Sequence, residues 1–381
     1  MKKQWNGNQY KLGMLGGGQL GRMFIQEALN YDVHVHCIDP DPNAPCKHIA
    51  STFTVGSLND YQTILDFGQD KDVITVEIEH VSVAALAELE KQGKKVFPQP
   101  RVLTIVQDKG LQKQFYADHS LPTAPFTLVA NKAELLEKHP AFPFVLKLRT
   151  GGYDGKGVQI IRSEADLANA FDAPCVIEEM IPFAKELSVI VARNENDETA
   201  VYPTVECEFN PTANLVEFLF SPAEIRPEIE RKAEQIALQV IDQLQMVGIL
   251  AVELFLTQEG DLLINEIAPR PHNSGHHTIE CCYTSQFEQH LRSIVNAPLG
   301  STDLITPGVM INLLGEEGFE GNAVYENLEE VMAMKGVMVH LYGKQTTKSF
   351  RKMGHVTIYG PDLEPLKSTG RTIAQRLKIK A

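Results

Sequence analysis

The chain lacks any apolar run long enough to span a bilayer, has a single tryptophan, and carries six cysteines with no C-x-x-C spacing. The first absence argues against an integral membrane protein. The cysteines, at positions 37, 46, 175, 207, 281 and 282, give no zinc pattern and read as reduced thiols of a cytoplasmic protein. Basic charge is also short: 35 Lys and Arg against 49 Asp and Glu leave a formal charge of −14. A general attraction to nucleic acid or to an anionic membrane is therefore not expected, and any bound anion must be held by a local basic cluster. The opening "MKKQWNGNQYK" is followed by no signal-peptide hydrophobic region. Internal repeats and low-complexity segments are absent.

What is present is ordinary globular composition, 43% hydrophobic and 22% charged, in a 381-residue chain long enough for two to four domains. The first hundred residues alternate strand and helix: "YKLGMLG", "QLGRMFIQEALNYD", "VHVHCID", the strand "DVITVEIEHV", and the helix "AALAELEKQG" ending at Gly93. This pattern predicts a small parallel α/β domain, closed by the proline-marked linker "FPQPRV". A helix over "KGLQKQFYADHSL", two β-rich runs around a glycine loop and a further helix over "EADLANAF" follow. "KELSVIVARN" and "ETAVYPTVE" read as an antiparallel pair. "PEIERKAEQIALQVIDQLQMVG" reads as an amphipathic helix stopped at Gly248. The last 80 residues read as short strands of a β-rich cap.

Four stretches carry chemistry. Gly16, Gly18 and Gly21 fit G-x-G-x-x-G, with Asp39 about twenty residues on, the layout of a dinucleotide fingerprint. "TGGYDGKG" (150–157) lacks the Walker pattern and sits between strands, as a phosphate flap or a plain glycine turn, with Lys147 on the strand that enters it. In the hairpin 249–267, a two-residue turn at Glu259-Gly260 sets Glu253 opposite Glu266, Phe255 opposite Ile264 and Thr257 opposite Leu262. Facing carboxylates repel unless a divalent cation lies between them, and Mg²⁺ takes one or two carboxylates plus phosphate oxygens. The alternative is two solvated acids. Beyond them, "NEIAPRPHNSGHHT" gathers Arg270, His272, Asn273, Ser274, His276 and His277, suited to a small oxyanion with Arg270 as the forked donor. Lastly, "LYGKQTTKSFRKMGH" sets Lys344, Lys348, Arg351 and Lys352 close together, as a solvated face or a phosphate loop.

In this order, "GMLGGGQLGRM", "GGYDGKG", "ELSVIVAR", "VELF" with "NEIAPRPHNSGHHT", and "LYGK…RKMGH" resemble N5-carboxyaminoimidazole ribonucleotide synthetase, an ATP-grasp family of purine biosynthesis. The resemblance implies an α/β and α+β chain: a Rossmann-like pre-ATP-grasp domain over 1–107, a two-lobed ATP-grasp domain over 108–305 (small lobe about 108–178, large lobe about 179–305) and a small β-rich C-terminal domain over 306–381. It implies that ATP, bicarbonate and 5-aminoimidazole ribonucleotide react through carboxyphosphate with Mg²⁺, without biotin or NAD, in a cytoplasmic homodimer. Its ATP contacts fall on Arg101, Lys147, the flap Tyr153, Asp154, Gly155, Lys156 and Gly157, the adenine hinge Glu178, Glu179, Met180 and Ile181, the ribose acid Glu186, and Asn265 with Glu266. Glu253 and Glu266 take the metal. Arg270, His272, Asn273 and Asp154 fall at the reacting centre. Gln19, Leu20, Glu77 or Glu79, Lys344, Arg351 and Lys352 take the ribonucleotide. The sequence departs from the family at "TVECEFNPTANLVEF", at "GKGVQ" and at "EIEH".

Rival readings within the fold are formate-dependent glycinamide ribonucleotide transformylase and biotin carboxylase; "RPHNSGH" favours the first choice. Outside it stand an NAD oxidoreductase, from the opening motif, and a nucleotide sensor that has no need of Glu253 and Glu266.

Overall fold

The computed structural model describes residues 4–138, 141–152, 157–210 and 215–381. The N-terminal alternation folds as β1 (Lys11–Leu15), α1 (Gln19–Asn30), β2 (His34–Asp39), β3 (Thr52–Val55), α2 (Tyr61–Gly68), β4 (Val73–Val76), α3 (Val83–Lys91) and β5 (Lys95–Val96). The five strands are parallel, in the order β3-β2-β1-β4-β5. Every residue of β4 is buried, as expected of a parallel strand covered on both faces. The strand read over "DVITVEIEHV" stops at Val76. Glu77 and Glu79 thus lie beyond the carboxyl end of the sheet, where α/β folds place their ligands. α1 buries Leu20, Met23, Phe24, Ile25 and Ala28.

After α4 (Pro100–Val106), the chain enters α5 (Lys109–Asp118), β6 (Phe126–Val129), α6 (Lys132–Lys138), β7 (Phe144–Leu148), β8 (Val158–Ile161) and β9 (Cys175–Glu179), an antiparallel sheet ordered β6-β9-β7-β8. Phe144, Leu146, Cys175 and Ile177 face its core, leaving Lys147 and Glu178 on the other face. The helix expected over "EADLANAF" is only a 3₁₀ turn, Asp166–Asn169. The Asp166 carboxylate accepts the N–H groups of Arg162 and Ser163 (2.8 and 3.1 Å), holding a turn in place of a helix.

Next come β10 (Phe183–Arg193), β11 (Thr199–Val201), β12 (Val205–Phe209), β13 (Val216–Ser221), α7 (Pro227–Gln243), β14 (Gly248–Thr257), β15 (Leu262–Ala268), α8 (Thr278–Cys281) and α9 (Gln286–Ile294). The C-terminal segment contributes β16 (Gly308–Leu314), β17 (Gly321–Asn322), β18 (Val324–Glu326), α10 (Leu328–Met332), β19 (Val337–Leu341), β20 (Thr346–Thr347), β21 (Lys352–Tyr359), α11 (Leu363–Arg376) and β22 (Lys378–Lys380). Its main strands continue the large lobe's own sheet, in the order β15-β14-β10-β12-β13-β16-β21-β19. α11, absent from the sequence reading, packs Leu366 and Ile373 into a core with Val309, Ile311, Val356 and Ile358.

α7 buries Ile229, Ala233, Ile236, Ala237, Val240 and Ile241 against β10 and β14, about 1.5–3 kcal/mol for each large aliphatic side chain. It ends at Gln243, before the expected stop: Gln245 takes the left-handed turn (φ 45°), and Gly248 already belongs to β14.

Candidate active site

Glu253 of β14 does pair with Glu266 of β15, but a bulge follows at once. Leu254 faces Ile264, Phe255 faces Leu263 and Leu256 faces Leu262, so the other two expected pairs are shifted and the turn is longer than two residues. Asn265 is the extra residue. The bulge leaves adjacent Asn265 and Glu266 both incompletely buried within an otherwise apolar strand. The acids are not alone. Lys109 pairs with Glu266, and His272 Nε2 stands 3.6 Å from Glu253. Burial and the facing Glu266 push the Glu253 carboxyl up, while Lys109 holds that of Glu266 below the usual range. Two opposed carboxylates beside an amide oxygen are the hard oxygen donors that Mg²⁺ accepts, so the residues fit the expected ion.

Lys147 joins the lobes. From β7 its ammonium donates to Glu178 of β9 (3.1 Å) and to Asn265 of β15 (3.0 Å). Glu178 is 3% exposed and also meets Lys113 of α5 at 3.3 Å. Lys113 donates to Thr123 (2.7 Å), which donates to the Ile264 carbonyl (2.7 Å), tying α5 to β15. Burial lowers the Lys113 ammonium to about 8 against the pull of Glu178. Asp108 caps α5 and grips Arg149 at the end of β7 through two bonds of 2.7–2.8 Å. That grip sets Lys109 over Glu266. Glu186, on the same face of β10 as Ser188 and near Lys147, is pushed up to about 7 by burial.

The opening glycine loop is already occupied from within. Glu77 Oε1 accepts the Gly18 N–H (2.7 Å), Oε2 accepts the Gly21 N–H (2.9 Å), and Asp39 accepts the Gly17 N–H (2.7 Å). The Gly17, Gly18 and Gly21 amides of the fingerprint are thus spent on Asp39 and Glu77 of the same domain.

The loop after β15 is pinned by Gln286 at the start of α9, which accepts the His272 N–H (2.8 Å) and donates to the His272 carbonyl (2.7 Å). His272 Nδ1 meets Ser274 Oγ (2.9 Å), and Ser274 meets Ser188 (2.7 Å). Asn273 exchanges amide bonds with Asn312 of β16 (2.7 and 2.8 Å). Arg270 reaches across to Glu79 (2.8 Å), linking the loop to the N-terminal domain. His276 and His277 are buried behind the loop. From the C-terminal segment, Lys344 donates to the Lys352 carbonyl (2.7 Å) and Arg351 to Thr346 (2.8 Å to the carbonyl). Lys352 is near enough to stabilise the charge of Glu253. The Gly343 turn (φ 76°) approaches Arg22 of α1, so this segment lies against the helix that begins at Gln19.

Contacts thus link Lys147, Glu178, Glu186, Asn265, Glu266, Glu253 and His272, with Arg270 and Asn273 on the loop that follows β15. Glu179 ends β9, and Met180, which is exposed, and Ile181 lead on towards β10. Two of the expected residues make their contacts elsewhere. Arg101 donates to the carbonyls of Leu244 and Gln245, where the end of α7 favours a cation, and not to the cluster around Lys147. Leu20 packs its side chain into the N-terminal core. Tyr153, Asp154, Gly155 and Lys156 lie outside the described residues; Gly157, at φ 81°, ends the loop by accepting from Leu148. Lys109 and Lys113 were missed. The signal for Lys109 was its place directly after the helix-capping Asp108. Among the described residues no helix is long and apolar enough to cross a membrane.

Residues 9–107 match the ribonucleotide synthetase preATP-grasp domain, 114–287 the ATP-grasp domain, and 308–369 the phosphoribosylaminoimidazole carboxylase C-terminal domain. The chain is 39% identical to the N5-carboxyaminoimidazole ribonucleotide synthase of Bacillus subtilis, over 91% of this chain and 90% of that one. It is 40% identical to the chloroplastic phosphoribosylaminoimidazole carboxylase of Vigna aconitifolia over 94% of its own length, but spans only 65% of that longer protein. The crystal structure of the Thermotoga maritima N5-carboxyaminoimidazole ribonucleotide synthetase superposes with a TM-score of 0.91, at 42% identity, covering 98% of this chain and 99% of that one. The synthase of Aspergillus clavatus, solved with ADP and 5-aminoimidazole ribonucleotide, gives a TM-score of 0.89 at 30% identity, covering 98% and 99%.

Proposed function

The chain belongs to the N5-carboxyaminoimidazole ribonucleotide synthetase family of ATP-grasp ligases, and we propose that its acid-lined cleft divides that family's substrates between two regions. It is an ATP-dependent ligase of purine biosynthesis that converts 5-aminoimidazole ribonucleotide to its N5-carboxyamino form.

In this reading ATP lies between the lobes. Lys147 and Lys109 exchange Asn265, Glu178 and Glu266 for phosphate oxygens; Lys109 takes the role first expected of Arg101. The main chain of Glu178 to Ile181 borders the base, and Glu186 accepts the ribose hydroxyls. Glu253, Glu266 and Asn265 hold Mg²⁺, which when bound neutralises phosphate charge. Bicarbonate sits against Arg270, His272 and Asn273. Its oxygen attacks the γ-phosphorus, ADP leaves, and carboxyphosphate forms. The exocyclic amine then attacks the carboxyl carbon, phosphate leaves with the C–O bond electrons, and the amine loses a proton. Such transfer is mostly positioning and charge neutralisation, which suits a pocket built from fixed cations. The ribonucleotide lies against Gln19, Glu79, Lys344, Arg351 and Lys352. Glu79 is preferred to Glu77 because both Glu77 oxygens are engaged. A cytoplasmic homodimer completes the reading, on family resemblance.

The observation that carries it is the reach of Lys147 across both lobes to the site where Glu253 faces Glu266. The test is ADP and phosphate release measured with each substrate omitted in turn. Release that requires both bicarbonate and 5-aminoimidazole ribonucleotide is expected. Release driven by formate and glycinamide ribonucleotide instead would overturn the assignment.

A further inference from the structure

The glycine loop has the spacing of a pyrophosphate cradle and also its close approach. Gly16 adopts φ 101°, and a Cβ there would fall 2.4 Å from Glu77 Cγ; one at Gly18 would fall 2.5 Å from Glu77 Oε1. These two glycines therefore make room for a side chain of this same protein. Gly18 is the N-cap of α1 and Gly21 lies three residues into it, so their amides are among the helix-end donors that need an acceptor. In nucleotide-binding loops a phosphate supplies it. Here the Glu77 carboxylate does, with one oxygen on each amide at 2.7 and 2.9 Å. Asp39 takes the neighbouring Gly17 amide. Burial pushes the Glu77 carboxyl up, and the two amides with nearby Arg270 act against that push.

We propose that Glu77 is a positioning residue acting as a built-in anion: it fills the phosphate seat of the glycine loop, bars dinucleotides from it, and fixes the first turn of α1 so that Gln19 meets the ribonucleotide. The last clause rests on the ribonucleotide placement proposed above. Removing the carboxylate leaves two amides without acceptors and frees the turn to shift.

The test compares Glu77→Ala and Glu77→Gln with the parent enzyme, with and without added formate. Glu77→Ala raises KM for 5-aminoimidazole ribonucleotide by about 10- to 100-fold, the cost of misplacing a contact by about 1 Å, and leaves KM for ATP unchanged. Hydrogen exchange at the Gly18 and Gly21 amides speeds up in the variant, and formate slows it again and lowers the raised KM. If Glu77→Ala does not fold, the isosteric Glu77→Gln carries the test, with a smaller rise in the same KM and faster exchange at Gly21 or Gly18. Unchanged exchange in either variant, or exchange in folded Glu77→Ala that ignores formate, overturns the anion role. The placement is judged separately by Gln19→Ala. An unchanged KM for the ribonucleotide there overturns the placement, while the exchange data still decide what Glu77 does.

Discussion

In the glycine loop Gly16–Gly21 the donors are backbone amides, and their acceptors, Asp39 and Glu77, are acids of the same domain. In the cleft between the lobes the donors are Lys109, Lys147 and Arg270, and their acceptors, Glu266, Glu178, Asn265 and Glu79, sit on other elements, several across a domain boundary. Both regions look like anion sites by residue type. Only one is exchangeable. A buried carboxylate on rigid amides cannot leave without stranding them, whereas a lysine on a long stem changes partners at little cost. The lesson is that an anion-binding motif must be checked for its own resident anion before a ligand is assigned to it.

The largest expected effect breaks the exchangeable side. Glu266→Gln removes a metal carboxylate and strands Lys109, and turnover falls roughly a thousandfold or more, the several kcal/mol a metal contributes to phosphoryl transfer. Near-normal steady-state rates at ordinary magnesium concentrations would exclude Glu266 from the metal site. Lys109→Ala comes next. It lowers kcat/KM for ATP by about 100-fold, as loss of one charge-assisted contact in the transition state, and spares KM for the ribonucleotide. Arg101→Ala, by contrast, lowers the melting temperature and leaves the ATP parameters of the folded enzyme alone; a selective ATP defect there would restore the original expectation.

A smaller effect concerns pH. Burial raises the Glu186 carboxyl to about 7, and it accepts ribose hydroxyls best when ionised. ADP affinity, measured by calorimetry, thus weakens as the pH falls through 7, by at most about tenfold per unit, and Glu186→Gln flattens the profile. The sign for stability runs the other way. Because the folded pKa is raised above 4.5, the contribution of Glu186 to stability is full below that value and is lost as the pH rises towards 7. A pH-independent affinity in the parent protein would remove Glu186 from the ribose.

Much of this was legible in the sequence. Period-two and period-3.6 patterns placed β1, β2, β4, α1, α5 and α7, though not β3 or β5, and the hairpin count put Glu253 opposite Glu266. The bulge beside them was missed because strict alternation was assumed; "LLINEI", with two polar neighbours in an apolar strand, already breaks the period. α11 was missed although Leu363, Leu366, Gly370 and Ile373 keep helical spacing. Arg101 and Lys109 are alike in charge and eight residues apart, and residue type cannot tell which one the turn between α4 and α5 directs into the cleft. The internal ligation of the glycine loop was out of reach for a different reason: Glu77 is distant in sequence, and only the parallel pairing of β1 with β4 brings it under Gly18.

If ATP lies at Lys147 and the ribonucleotide at the Lys344–Lys352 segment, calorimetric titration of Lys147→Met and Arg351→Met with ADP and with 5-aminoimidazole ribonucleotide separates the two placements. Lys147→Met is expected to lose ADP affinity and keep the ribonucleotide. Arg351→Met is expected to lose ribonucleotide affinity by roughly 10- to 100-fold, one charge-assisted phosphate contact, and keep ADP. Loss of ADP binding in Arg351→Met with the ribonucleotide spared would reverse the two placements.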